Sequence, residues 1–295
     1  MADIIDSLKY RYKNGSVMMK LVFINVLVFL GIKIIGVFFT LFNIYWVDLV
    51  RLLAVPSDPQ ALLSHPWTFF TYMFVHEDFW HILFNMLWLY WFGSMFMQFF
   101  NGRTLGSLYV LGGLAGAALY LLSFNTIPYY VSMGAGQMIG ASAAVMAIVM
   151  GVSFYRPDMR LNLFLIGSVK IIYIAIAVFF IDFLSLGDAS NPGGHIAHIG
   201  GAIAGYVFAV QYRKGKDITV WISRILDFAA NLFKPRKKQS KMKISSRRAE
   251  NDSNYNYRKR QEAVEIDTIL DKLKQSGYSS LTDEEKKRLF DASKK

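Results

Sequence analysis

The sequence predicts an all-α, polytopic membrane protein, with six transmembrane helices followed by a cytosolic helical tail. Three observations predict it. Of 295 residues, 54% are hydrophobic and only 18% charged, against roughly a quarter charged in ordinary soluble domains. The charge is unevenly divided: residues 1–212 hold 10 Lys and Arg against 9 Asp and Glu, and residues 213–295 hold 22 against 12. Finally, six apolar runs are long enough, or nearly so, to cross about 30 Å of hydrocarbon. A soluble chain burying that much apolar surface would need a core larger than one domain builds. The basic residues lie beside a span, so anionic lipid headgroups are their nearer partner and nucleic acid is not expected. With no cysteine, disulfides, thiolate catalysis and Cys-ligated metals are excluded.

Residues 1–16 form a polar, basic cytosolic segment. The apolar run after it is too long, and lacks the small-residue cleavage site, for a removable signal, so an uncleaved anchor is expected. The spans fall at about 18–42, 79–100, 104–124, 139–155, 166–186 and 194–212, within a six-helix membrane domain over 17–212. Lys9, Arg11, Lys13 and Lys20 precede the first span, Arg103 lies in the 2–3 turn, and Arg156 and Arg160 lie in the 4–5 turn. The opposite loops carry only Arg51. Positive charge marks the cytosolic side, so both termini are cytosolic and the even-numbered spans start near the outer face. The expected location is the plasma membrane.

The loop over 44–75 is rich in Trp, Phe, Leu and Val, a composition suited to the membrane interface. Residues 213–264 divide into an amphipathic helix, with apolar positions 218, 221, 222, 225, 226, 229, 232 and 233, and a basic linker. From Lys234 to Arg260 the composition predicts disorder. Residues 265–295 read as a two-helix module: Ile266, Ile269, Leu270 and Leu273, a stop at Gly277, then a Thr282–Glu285 capping box before Leu289 and Phe290.

All five histidines (65, 76, 81, 195 and 198) fall outside the spans or in the outer ends of spans 2 and 6. Titratable side chains in the bilayer are costly and mark function or a polar partner. Span 4 reads GQMIGASAAVMAIVMG and span 6 GGHIAHIGGAIAGYVFA. Ala143, Ala147 and Gly151 recur every four residues in the first, and Ala197, Gly201, Gly205 and Ala209 in the second. Such small-residue faces let helix backbones approach closely. If they face each other, Ser142 and His198 meet at one depth. A neutral imidazole beside a serine can take the hydroxyl proton during attack on a carbonyl and return it to the leaving amine. A serine at a helix start also has free backbone N–H groups for an oxyanion. His81 and Asn85, four apart in span 2, share a helix face near that end and would complete an oxyanion hole.

These residues resemble the rhomboid intramembrane serine proteases. The resemblance covers about residues 15–212, through HxxxN (His81, Asn85), GxSx (Gly140, Ser142) and AHxxG (Ala197, His198, Gly201). It implies Ser142 as nucleophile, His198 as base, His81, Asn85 and the Ser142 N–H as oxyanion donors, and Gly140 and Gly201 as supports. The implied substrate is a transmembrane segment of another protein, cut by a dyad without a third carboxylate and without cofactor or metal. Ala143 stands where the motif commonly has Gly, and Met146 where many members place an aromatic ring against the histidine. Metalloprotease chemistry needs HExxH, and His76-Glu77-Asp78 lacks the second histidine. Asp182 is the only carboxylate well inside a span, which excludes an aspartyl pair. The alternative is a catalytically inactive relative that binds transmembrane helices.

Overall fold

The computed structural model describes residues 14–44, 47–163, 167–188, 191–232 and 246–293. The chain divides into two compact units, one up to Lys234 and the other from Pro235.

In the first unit, Ser16 caps α1 (Val17–Leu41), accepting from the Met19 N–H at 3.3 Å. Asp78 caps α2 (Phe79–Phe96) by accepting from the His81 N–H at 2.9 Å, and that bond holds the Asp78 carboxyl below the usual range. Asn101 caps α3 (Gly102–Thr126) at the Thr104 N–H. The helix α4 (Ser142–Tyr155) is central: every residue from Ala143 to Ser153 is buried, against α6, α3 and α2. Then follow α5 (Ile171–Leu184) and α6 (Pro192–Arg213), the latter opened by Pro192 with Asn191 as cap.

Three of these helices, α1, α3 and α6, have the length and hydropathy to cross a membrane, while α4 and α5 are apolar but shorter. At 14 residues, α4 is only about 21 Å long, so the loop before Ser142 supplies the rest of any crossing. The outer helices turn apolar side chains outward: Leu27, Ile34 and Leu41 on α1 and Ile181 and Leu184 on α5 are all more than 60% exposed. In water such a surface would drive association; it matches hydrocarbon.

The hydropathy reading places span 5 from residue 166. Instead, β3 (Arg160–Leu163) pairs antiparallel with β4 (Gly167–Lys170), and helix begins only at Ile171. A second short pair joins β1 (Val55–Pro56) to β2 (Gln137–Met138). After α6, α7 (Val220–Leu232) buries Ile222, and its Asp227 pairs with Arg103 at 3.3 Å. Trp221, Ile225, Phe228 and Leu232 are left exposed along one stripe.

The second unit holds α8 (Ser246–Ser276) and α9 (Asp283–Ser293). Residues 246–260, expected to be disordered, are helical, and 233–245 lie outside the described residues. The capping box forms, with the Thr282 N–H donating to Glu285 at 2.7 Å and the Glu285 N–H to the Thr282 hydroxyl at 3.3 Å.

Candidate active site

Ser142 is the first residue of α4, and the loop before it is fastened by three hydrogen bonds, to Ser57 and Tyr72. The Ser57 N–H donates to the Gly136 carbonyl at 2.9 Å, the Gly136 N–H to the Ser57 hydroxyl at 2.8 Å, and the Gly140 N–H to the Tyr72 carbonyl at 3.0 Å. Gly140 has φ +119°, a conformation that side-chain-bearing residues rarely adopt. A Cβ there would also lie 2.8 Å from His81 Nε2 and 3.6 Å from Ser142 Oγ. Glycine at 140 therefore both turns the chain into the helix and admits the His81 imidazole beside the serine.

The small-residue seam forms as its spacing implies. A Cβ on Gly201 would lie 2.0 Å from the Ala143 carbonyl oxygen, and one on Gly205 would lie 2.2 Å from that of Ala147. Backbones this close set His198, one turn before Gly201, and Ser142, the neighbour of Ala143, at one level of the α4–α6 seam. Both residues line one cavity of about 1020 Å³, together with His81, Asn85 and Met146. It is polar at Ser142 and apolar toward Val145, Val149 and Val178.

Asn85 is 9% exposed, and its amide donates to the His81 carbonyl at 2.9 Å. One of its two amide hydrogens is thus used inside the helix, leaving the other for the cavity. Behind His81 lies His76, edge-on with ring centroids 5.0 Å apart and itself 1% exposed. His65 stands apart, edge-on to Trp67 with Nδ1 3.3 Å from the Ala61 carbonyl.

The expectation of a histidine without a carboxylate needs correcting. Asp182 Oδ1 lies 2.8 Å from His198 Nδ1 and 2.9 Å from His195 Nδ1. Sequence reasoning gave neither Asp182 nor His195 a role, because Asp182 is on a different helix, 16 residues before His198. The available signal was a lone intramembrane carboxylate followed by two histidines three residues apart. These three groups are also the donor set that could hold a metal ion among the described residues.

A rhomboid domain model matches residues 63–215, more than half the chain. The chain belongs to the rhomboid family. It is a membrane protein, and its relatives include one named as a protease. It is 30% identical over 160 residues to RHOMBOID-like protein 12, mitochondrial, of Arabidopsis thaliana, covering 50% of this chain and 47% of that one. It is 29% identical over 163 residues to Rhomboid protease GlpG of Haemophilus influenzae, 55% and 77% respectively. It is 26% identical over 149 residues to Rhomboid protein 1, mitochondrial, of Saccharomyces cerevisiae, 49% and 41%. The chain thus spans under half the length of the two mitochondrial relatives. Their names give the plasma-membrane expectation no support. Residues 250–295 of this rhomboid match a family of unknown function.

Proposed function

We propose that this rhomboid is an intramembrane serine endopeptidase that cuts transmembrane segments of other membrane proteins, with Ser142 as nucleophile and His198 as base. The observation that carries the reading is one cavity lined by Ser142, His198, His81 and Asn85, brought together by the Ala143–Gly201 contact. His198 Nε2 takes the Ser142 Oγ proton as the oxygen attacks the peptide carbonyl. The N–H groups of the first turn of α4, which have no helical partner, together with His81 and Asn85, receive the oxyanion. The proton passes to the leaving amine, and water then hydrolyses the ester by the same route. Gly140 and Gly201 support this arrangement sterically.

Helices α1 to α6 are the six spans in this reading, with both termini cytosolic and the cavity opening toward the other face. A site beside short, lipid-facing α5 can be reached laterally, which favours a transmembrane helix as substrate. No cofactor takes part in these steps. The exposed stripe of α7 and the basic residues after it favour the inner leaflet and its anionic headgroups.

A fluorophosphonate probe tests the assignment. Labelling of the purified protein should vanish in Ser142→Ala and His198→Ala, and turnover of a transmembrane substrate should fall by about 10⁴-fold or more in each. Label that persists in Ser142→Ala would overturn the nucleophile. A wild type that takes no label but binds transmembrane peptides would establish the inactive, helix-binding alternative.

A further inference from the structure

His198 can serve as base at Nε2 only in the tautomer that carries its proton on Nδ1. Its Nδ1 lies 2.8 Å from Asp182 Oδ1. An ionised carboxylate only accepts, so His198 donates from Nδ1 and keeps its Nε2 lone pair toward the cavity. His195 donates to the same oxygen at 2.9 Å, so the carboxylate is held from two directions. Asp182 is 6% exposed, while its neighbours Phe180, Ile181, Phe183 and Leu184 are all more than 50% exposed. A carboxylate is a costly choice on an otherwise apolar, lipid-facing helix, and helix packing alone does not call for one.

A tetrahedral ion shared by these groups would spread its ligand atoms to about 3.3 Å apart, given Zn–N bonds of 2.0–2.1 Å. The contacts of 2.8 and 2.9 Å are instead charge-assisted hydrogen-bond lengths.

We infer that Asp182 is a positioning residue that completes a Ser142–His198–Asp182 triad, fixing the tautomer and ring orientation of His198 and stabilising the imidazolium formed during attack. The inference rests on the Ser142–His198 reading. Asp182 stays ionised throughout; the proton moves only between Ser142 Oγ, His198 Nε2 and the leaving amine.

The test uses the full-length protein in detergent and separates the maximal rate of fluorophosphonate labelling from the probe's half-saturating concentration. Asp182→Asn, which is isosteric, should lower the maximal rate by about 10²- to 10⁴-fold and leave half-saturation within about twofold. Asp182→Glu, still acceptor-only, should recover part of that loss. His195→Gln, which leaves the His198–Asp182 bond in place, should lower the rate by about tenfold or less. A rate for Asp182→Asn within about threefold of wild type would overturn the inference. So would equal losses in Asp182→Asn and His195→Gln accompanied by equal falls in the thermal unfolding midpoint, which would mark a mere tie between α5 and α6. Nitrogen-15 spectra of labelled histidines give a readout independent of activity. His198 should carry its proton on Nδ1 in wild type and lose that preference in Asp182→Asn. A wild-type proton on Nε2 refutes the role of Asp182, whereas label persisting in Ser142→Ala refutes the nucleophile and leaves the tautomer result standing.

Discussion

His76 has an acid-stability consequence separate from the reaction. It is 1% exposed and edge-on to His81. Burial, and then the neighbouring His81, push it from 6.5 down to about 4. Between those values the folded protein binds fewer protons here than the unfolded chain, so stability falls as pH drops from 6.5 toward 4 and levels off below. The full effect is about 3 kcal/mol at one pKa unit per 1.4 kcal/mol. Unfolding midpoints measured from pH 7.5 to 4.5 should decline less steeply in His76→Gln than in wild type; parallel declines would count against this origin. At this scale the sequence displayed Ser142, His198, His81 and Asn85, because each sits in a short motif at helical spacing. It did not display the contact of Asp182 with His198 and His195, which lie across a helix break.

The seam between α4 and α6 is an element-scale device, and its tolerance differs sharply from that of the outer helix. A methyl on Gly201 meets the Ala143 carbonyl oxygen at 2.0 Å, whereas one on Gly31 in α1 meets nothing within 4 Å. Gly201→Ala should therefore lower stability by about 1–3 kcal/mol and slow fluorophosphonate labelling, because separating α4 from α6 separates Ser142 from His198. Gly31→Ala should be neutral or stabilising by up to about 1 kcal/mol through helix propensity. Thermal unfolding and labelling of both variants check this; equal effects would show that the seam is not tight. The helices α1, α3 and α6 were legible because their hydrophobic runs are long. The β3–β4 hairpin was not, since hydropathy cannot tell a short apolar strand from the start of a helix. Gly167, with φ +87°, turns the chain there. Residues 246–260 are polar enough to read as disorder, yet their Arg, Lys, Glu and Ala are good helix formers, and they join α8.

At the scale of the whole chain, the charge imbalance separates two physical tasks. The nearly neutral front carries the cavity, whose lining residues all lie between Glu77 and His198. Its buried core likewise lies within the first unit, from Met18 to Ile222. The second unit has its own supports: the Thr282–Glu285 capping box, the Lys272–Glu285 pair at 3.0 Å and the contact of Arg288 with Glu265. None of these groups supplies a cavity wall. Removing residues 235–295 should therefore leave the rate of Ser142 labelling within about twofold of the full chain, because the α4–α6 seam and its neighbours retain their packing. A loss of tenfold or more, with the unfolding midpoint unchanged, would mean that the basic tail acts on the site rather than serving as a separate module.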